Sequence, residues 1–312
     1  MWCRVVVVLF LISSVSLGGP AAAESGPFVV DELLEGVWLF RVPATSATYT
    51  NSLVIERDAG LLVVESQPSP AAARRLIEAI HEVSPKPIRY LVLSHPHVES
   101  TGGASAFPES TLVIASAITH DALADDARDL AADIPLRASV PEAWVAPPRV
   151  LPQLLVGGTT VLADGRQRLE LLGVAKGHYP GSLILRIEEP ALYYIGAMAT
   201  TDRNPHADAE FTDVGAWGLW LNSLLFAQPK TIVPLRGETL DVPALRVFRD
   251  SLAWLISRVD YAHVERIPVD EAVDFTLNSE GLDKHFDVDA KPSFLRGMIQ
   301  RLVDKRYRTK ER

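Results

Sequence analysis

The chain has 312 residues, 48% of them hydrophobic, and a formal net charge of -9. That is enough apolar residue for a large core, one sizeable domain with an extension. An acidic surface of this kind is a poor match for the nucleic-acid backbone and argues against a nuclease.

The first 23 residues read as a secretory signal. Arg4 supplies a positive end, Val5 to Val15 an apolar centre, and Ala21-Ala22-Ala23 a small-residue cleavage site. The apolar run is too short for a comfortable membrane span, so no stable span is expected once it is removed. The only cysteine, Cys3, lies inside this segment. The mature chain therefore has no disulfide and no thiolate ligand to offer. The expectation is a periplasmic or secreted protein.

Strands are predicted over Gly36–Val42, Ser52–Ile55 and Gly60–Ser66, the last entered through the Asp58-Ala59-Gly60 turn. Ser69-Pro70 then opens a helix, with Ser as N-cap and Pro at the first helical position. Leu76, Ile77, Ile80 and Val83 follow at helical spacing, and Pro85 and Pro87 end it. Ile88 to Leu93 is apolar enough for a buried strand. Strand, helix, strand in this rhythm predicts an α/β fold with helices covering a sheet.

The stretch after that strand reads Ser94-His95-Pro96-His97-Val98-Glu99-Ser100-Thr101-Gly102-Gly103. Pro96 and the glycine pair force a loop. In extended backbone, residues two apart point the same way, so His95 and His97 can aim both imidazoles at one point. Neutral imidazole is a good zinc ligand, and catalytic zinc typically takes three protein ligands and keeps one open position. The stretch resembles the signature loop of the metallo-β-lactamase superfamily, His-x-His-x-Asp-His followed shortly by Gly-Gly. Glu99 stands at the aspartate position and Ser100 at that of the last histidine.

Further on, Ala104–Phe107 and Asp121–Ala132 are expected to be helical, with a strand over Thr111–Ile114 between them. Pro141 to Pro152 is a proline-rich connection of the kind that forms lids. Leu154–Val156, Thr159–Leu162 and Leu169–Leu172 are predicted as a run of antiparallel strands. Gly177-His178-Tyr179-Pro180-Gly181 is a tight loop before the strand Leu183–Ile187. It resembles the superfamily's Gly-His-Thr-Pro-Gly, whose histidine is the third ligand of the first zinc. Leu192 to Gly196 resembles the strand before the metal-bridging aspartate, but Ala197 follows. Thr231 to Gly237 resembles the segment carrying the last histidine ligand, but Arg236 stands there. Trp217 and Trp220 lie on an amphipathic helix and read as core. The tail from residue 241 to 312 reads as helices, similar to the extension of periplasmic members of the superfamily.

The resemblance spans residues 28–240. It implies an αββα sandwich of two mixed β-sheets, followed by a C-terminal helical extension. It also implies a first zinc site complete in His95, His97 and His178, hence one zinc ion, with the second site lost at Ser100, Ala197 and Arg236. An always-charged guanidinium at that place repels a second cation. Glu99 and Arg236 are expected to pair and to act as the catalytic groups. Glu99 would orient or deprotonate water, and Arg236 would hold a substrate carboxylate or an oxyanion. Glu65 is expected to support the signature loop. Asp202, His206 and Asp208 follow Gly196 closely and offer either a replacement ligand or an ordinary polar loop. Two functions follow: a mono-zinc hydrolase of a small ester, thioester, lactone or amide, or a catalytically silent periplasmic protein with a binding or accessory role.

Overall fold

The structure, a computed structural model, describes residues 27–44, 46, 49–125, 146–201, 212–287 and 292–308. The signal segment, residues 126–145 (the later part of the helix predicted over Asp121–Ala132 and the start of the Pro141–Pro152 connection) and Asp202, His206 and Asp208 lie outside the described residues.

Two mixed sheets pack face to face. The first runs β1 (Val29–Leu34), β2 (Val37–Arg41), β3 (Ser52–Arg57), β4 (Gly60–Val64), β5 (Ile88–Val92), β6 (Leu112–Ser116) and β7 (Leu154–Val156), neighbours in that order. Its first three pairings are antiparallel and its last three parallel. The second sheet has the order β12 (Thr231–Pro234), β11 (Leu192–Gly196), β10 (Ser182–Ile187), β9 (Leu169–Val174) and β8 (Thr159–Leu162). Between the sheets Leu39, Leu53, Ile55 and Leu62 meet Leu171, Leu183, Leu185 and Tyr194 in one buried layer.

Helices close both outer faces. Helix α1 (Pro70–Val83) sets Leu76 and Ile80 against Val63 and Leu91 of the first sheet. Ser69 caps it as predicted, accepting from the Ala72 N–H at 3.2 Å. Over the second sheet lie α4 (Val214–Phe226), α5 (Val242–Val264), α6 (Val269–Leu277) and α8 (Pro292–Arg308), the short α7 (Leu282–His285) linking the last two. Trp217, Leu252, Val273 and Ile299 share one core with Ile184 and Ile195. The layers are therefore helix, sheet, sheet, helix, the αββα sandwich expected. Among the described residues no helix is long and apolar enough to cross a membrane.

Four expectations change. Strand β1 was not foreseen: Val29 and Val30 are exposed, so no apolar alternation marks it. Leu154–Val156 does not join the antiparallel run but pairs in parallel with β6, and the Gly157-Gly158 step crosses to the other sheet. The signature loop contains a helical turn, α2 (Val98–Thr101), where only a loop was expected. The helix predicted over Asp121–Ala132 begins earlier, as α3 (Ala117–Ala124).

Candidate metal and substrate site

The site lies where strand ends of both sheets converge. Strand β5 delivers Ser94 to His97, the β9–β10 loop delivers His178, and β12 delivers Arg236. The sheets are joined there by Leu183 N–H donating to Ser94 O at 2.7 Å. The turn after β4 is unusual: Glu65 and Gln67 sit at φ 73° and 76°. Side chains there hold this costly backbone. Gln67 accepts from Thr50 N–H at 2.9 Å and donates to Thr50 O and Ser52 Oγ at 2.8 and 2.7 Å. The close approach of Gly103 is obligatory, since a Cβ there would lie 2.0 Å from Ser66 O.

His95, His97 and His178 are all buried, and one ring nitrogen from each lies within 4.8 Å of the others. Their ring centroids are 4.7, 5.4 and 5.2 Å apart. The 4.8 Å limit is compatible with the ~3.4 Å tetrahedral edge that zinc–nitrogen bonds of ~2.1 Å imply. His95 Nδ1 is hydrogen-bonded to Ser94 Oγ at 2.8 Å, while its Nε2 is buried without a hydrogen bond. An orphaned imidazole nitrogen in a three-histidine cluster fits a zinc ion. Burial pushes the His95 imidazole down to about 4, so its ligand form prevails at neutral pH. Tyr179 packs edge-on against His97, and Trp217 against His178. Trp217 is core, as expected, and also one wall of the cluster. The His178 loop is tied to the start of α4 by Thr212 Oγ1 donating to His178 O and by Asp213 N–H donating to Gly177 O.

The places where the resemblance implies second-site ligands hold different chemistry. Ser100 Oγ donates to Glu65 Oε2, turned away from any metal role. Glu65 also accepts from Ser94 N–H at 3.4 Å and Tyr194 O–H at 3.2 Å. Burial pushes its carboxyl up to about 7 against these bonds. Ala197 is a buried methyl at the end of β11. Arg236 donates from Nη2 to Glu99 Oε2 at 3.0 Å, and Glu99 Oε1 stands 3.7 Å from His95 Nε2. Burial opposes ionisation of Glu99, but the Arg236 guanidinium holds its carboxyl well below the usual range.

The sequence reading missed Asn51. Buried at the start of β3, it accepts from Val42 N–H at 2.8 Å and donates to both Pro234 O and Gly237 O at 2.9 Å. Its own N–H donates to Leu235 O at 2.7 Å. One side chain thus fixes the turn that presents Arg236. Nothing local in the sequence signals contacts across 183 and 186 positions.

A family model described as the metallo-beta-lactamase superfamily matches residues 45–234. The 2,4-dinitroanisole O-demethylase subunit alpha of Nocardioides sp. (strain JS1661) is 29% identical over 119 residues, 37% of this chain and 35% of that one. A stereoselective inverting sec-alkylsulfatase from Pseudomonas sp. is similar with a TM-score of 0.67 at 15% identity, over 90% of this chain and 50% of the sulfatase. A metallo-beta-lactamase from Pontibacter korlensis gives 0.60 at 18% identity, over 72% and 99% of the two chains. A metallo-beta-lactamase of Pseudomonas aeruginosa in a mono-zinc form gives 0.54 at 16%, over 73% and 95%. At such identities the structural likeness carries the fold alone. The chain spans half the length of the sulfatase, and its match to the demethylase subunit covers about a third of that protein.

Proposed function

This chain belongs to the metallo-β-lactamase superfamily, and on that footing we propose that it is a hydrolase using one zinc ion, held by His95, His97 and His178. The observation that carries the reading is the buried convergence of these three imidazoles, beside Ser100, Ala197 and Arg236 where the resemblance implies second-site ligands. Bound zinc would supply Lewis acidity and an activated water. Ser94 holds His95 in orientation, and Tyr179 and Trp217 keep the cluster apolar. Glu99 Oε1, buried and without a hydrogen-bond partner, is the acceptor that orients water towards the scissile group. Its pairing with Arg236 keeps it an acceptor. The reaction is hydrolysis of a small ester, thioester, lactone or amide: the water oxygen joins the acyl carbon, and the leaving group departs with a water proton. Arg4, the Val5–Val15 run and the alanine triplet support action outside the cytoplasm.

A binding role without turnover is favoured by one observation, the methyl of Ala197 where the resemblance implies a metal-bridging aspartate. Elemental mass spectrometry of the mature protein tests the first reading. Near one zinc per chain is expected, lost in His95→Ala/His97→Ala, with zinc-dependent turnover of chromogenic esters or thioesters abolished by His178→Ala. Zinc bound without turnover across a broad panel would favour the binding role. Absence of zinc after reconstitution would overturn the hydrolase reading and leave the three histidines as scaffold beside a binding role.

A further inference from the structure

We infer that Arg236 and Thr201 form an oxyanion subsite beside the histidine cluster, so that the molecule acted on carries its own compact anionic group, a carboxylate or a sulfate. The inference deepens the hydrolase reading and rests on it for the word substrate. Its starting point is an excess of buried donors. Arg236 is 8% exposed, yet among the described residues its only hydrogen bond is the one to Glu99. A guanidinium has five N–H donors, and buried donors without acceptors are costly. Arg236 Nε is buried with no acceptor.

Thr201 Oγ1 is buried and, among the described residues, equally without a partner. It lies against the backbone one residue past Arg236, where a Cβ on Gly237 would come within 2.1 Å of it. Gly237 avoids that clash and takes φ +81°. One orphaned hydrogen-bonding group on the turn after β12 and another on the segment after β11 that abuts this turn match a group with several acceptor oxygens.

Charge and rigidity favour an anion over a neutral ligand. Glu99 already balances Arg236, and imidazole binds zinc in its neutral form, so a zinc ion held there would leave two positive charges uncompensated in a buried site. The turn is fixed before anything binds. Leu235 N–H donates to Gly196 O at 2.9 Å, Gly237 N–H to Val42 O at 2.9 Å, and Asn51 bonds the carbonyls on both sides of Arg236. A guanidinium held this way is preordered for bidentate oxyanions. The chain Arg236–Glu99–His95, linked at 3.0 and 3.7 Å, sets the subsite one side chain from the cluster. The anionic group is therefore close to the bond that is cut, as in an acyl group bearing a nearby carboxylate or sulfate.

The test is calorimetric titration of the full mature chain with sodium sulfate and with sodium acetate, zinc-loaded and chelated. Binding of either anion is expected. Arg236→Gln should weaken it about ten-fold or more, as loss of a charged hydrogen-bonding partner implies. Thr201→Val should weaken it several-fold. Glu99→Gln, which removes the competing carboxylate, should tighten it. Arg236→Gln leaves Glu99 buried and unpaired, so the double variant E99Q/R236Q serves as its folded counterpart and should also lose binding. Sulfate binding alone assigns a sulfated substrate, and acetate binding alone a carboxylated one. Neither anion binding wild type or Glu99→Gln, or both binding E99Q/R236Q as well as wild type, would overturn the subsite. The chelated arm separates the readings: a chain that binds no zinc but still binds sulfate through Arg236 would remove the hydrolase and keep the subsite.

Discussion

Arg236 reaches Glu99 across 3.0 Å, joining residues 137 positions apart in a buried ion pair at the edge of the histidine cluster. Buried pairs stabilise little as a pair, but removing one partner strands a charge, at a cost of about 3–5 kcal/mol. Arg236→Met should therefore lower the stability of the chelated protein by about that amount, read from urea midpoints at pH 7. E99Q/R236M should recover most of it. A double variant as unstable as the single would mean that the guanidinium acts through packing and not through charge.

A pH series separates two buried groups with opposite shifts. His95 is pushed down to about 4 from 6.5 by burial, so between those values the unfolded chain holds a proton that the native chain lacks. Native stability therefore falls as pH drops through that window. Glu65 is pushed up to about 7 from 4.5 by burial, so the native chain holds the extra proton and its stability falls as pH rises through 4.5 to 7. From pH 4.5 to 6.5 the two slopes oppose and nearly cancel. Glu65→Gln should uncover the His95 slope, a gain of about 2–3 kcal/mol over those two pH units in chelated protein. Below pH 4.5 wild type should weaken steeply, since Glu99, held low by Arg236 against its own burial, must then be protonated. A Glu65→Gln profile parallel to wild type would remove Glu65 from this account.

The histidines were legible because each sits in a short motif whose backbone follows from local residues: Pro96 and Gly102-Gly103 around His95 and His97, and Gly177 with Pro180-Gly181 around His178. The pairing of Glu99 with Arg236 was readable only through the family frame, because no local rule relates two charges so far apart. The frame could not supply Asn51 or the Tyr194 bond to Glu65, which depend on how the two sheets stack. Leu154–Val156 was misassigned because Gly157-Gly158 has the composition of a hairpin turn, and period-two patterning does not say which sheet a strand joins.

Asn51 gives a prediction about presentation. Asn51→Ala would leave Val42 N–H, Pro234 O and Gly237 O without the partners they now have. At about 1 kcal/mol or more for each buried group, a loss of about 3 kcal/mol is expected. Part of the effect should be local: sulfate affinity should drop further than stability at a permissive temperature accounts for, since the Arg236 turn loses its anchor. Unchanged sulfate affinity in a folded Asn51→Ala protein would show that β12 alone positions the guanidinium.

Ser94 tests whether the cluster is tuned from outside its ligands. Its hydroxyl meets His95 Nδ1 at 2.8 Å and so selects which ring nitrogen faces the cluster. Ser94→Ala removes that bond while leaving Leu183 N–H donating to the Ser94 backbone carbonyl, so the tie between the sheets persists. The fold should therefore hold, with a small change in melting temperature, while zinc affinity falls about 10–100-fold, the usual effect of losing a partner of a metal-bound histidine. Competition with a chromophoric chelator measures this without any substrate. His95→Ala, which removes the ligand itself, should lose binding outright. Equal affinities for Ser94→Ala and wild type would mean that packing against His97 and His178, not the hydroxyl, orients the His95 ring.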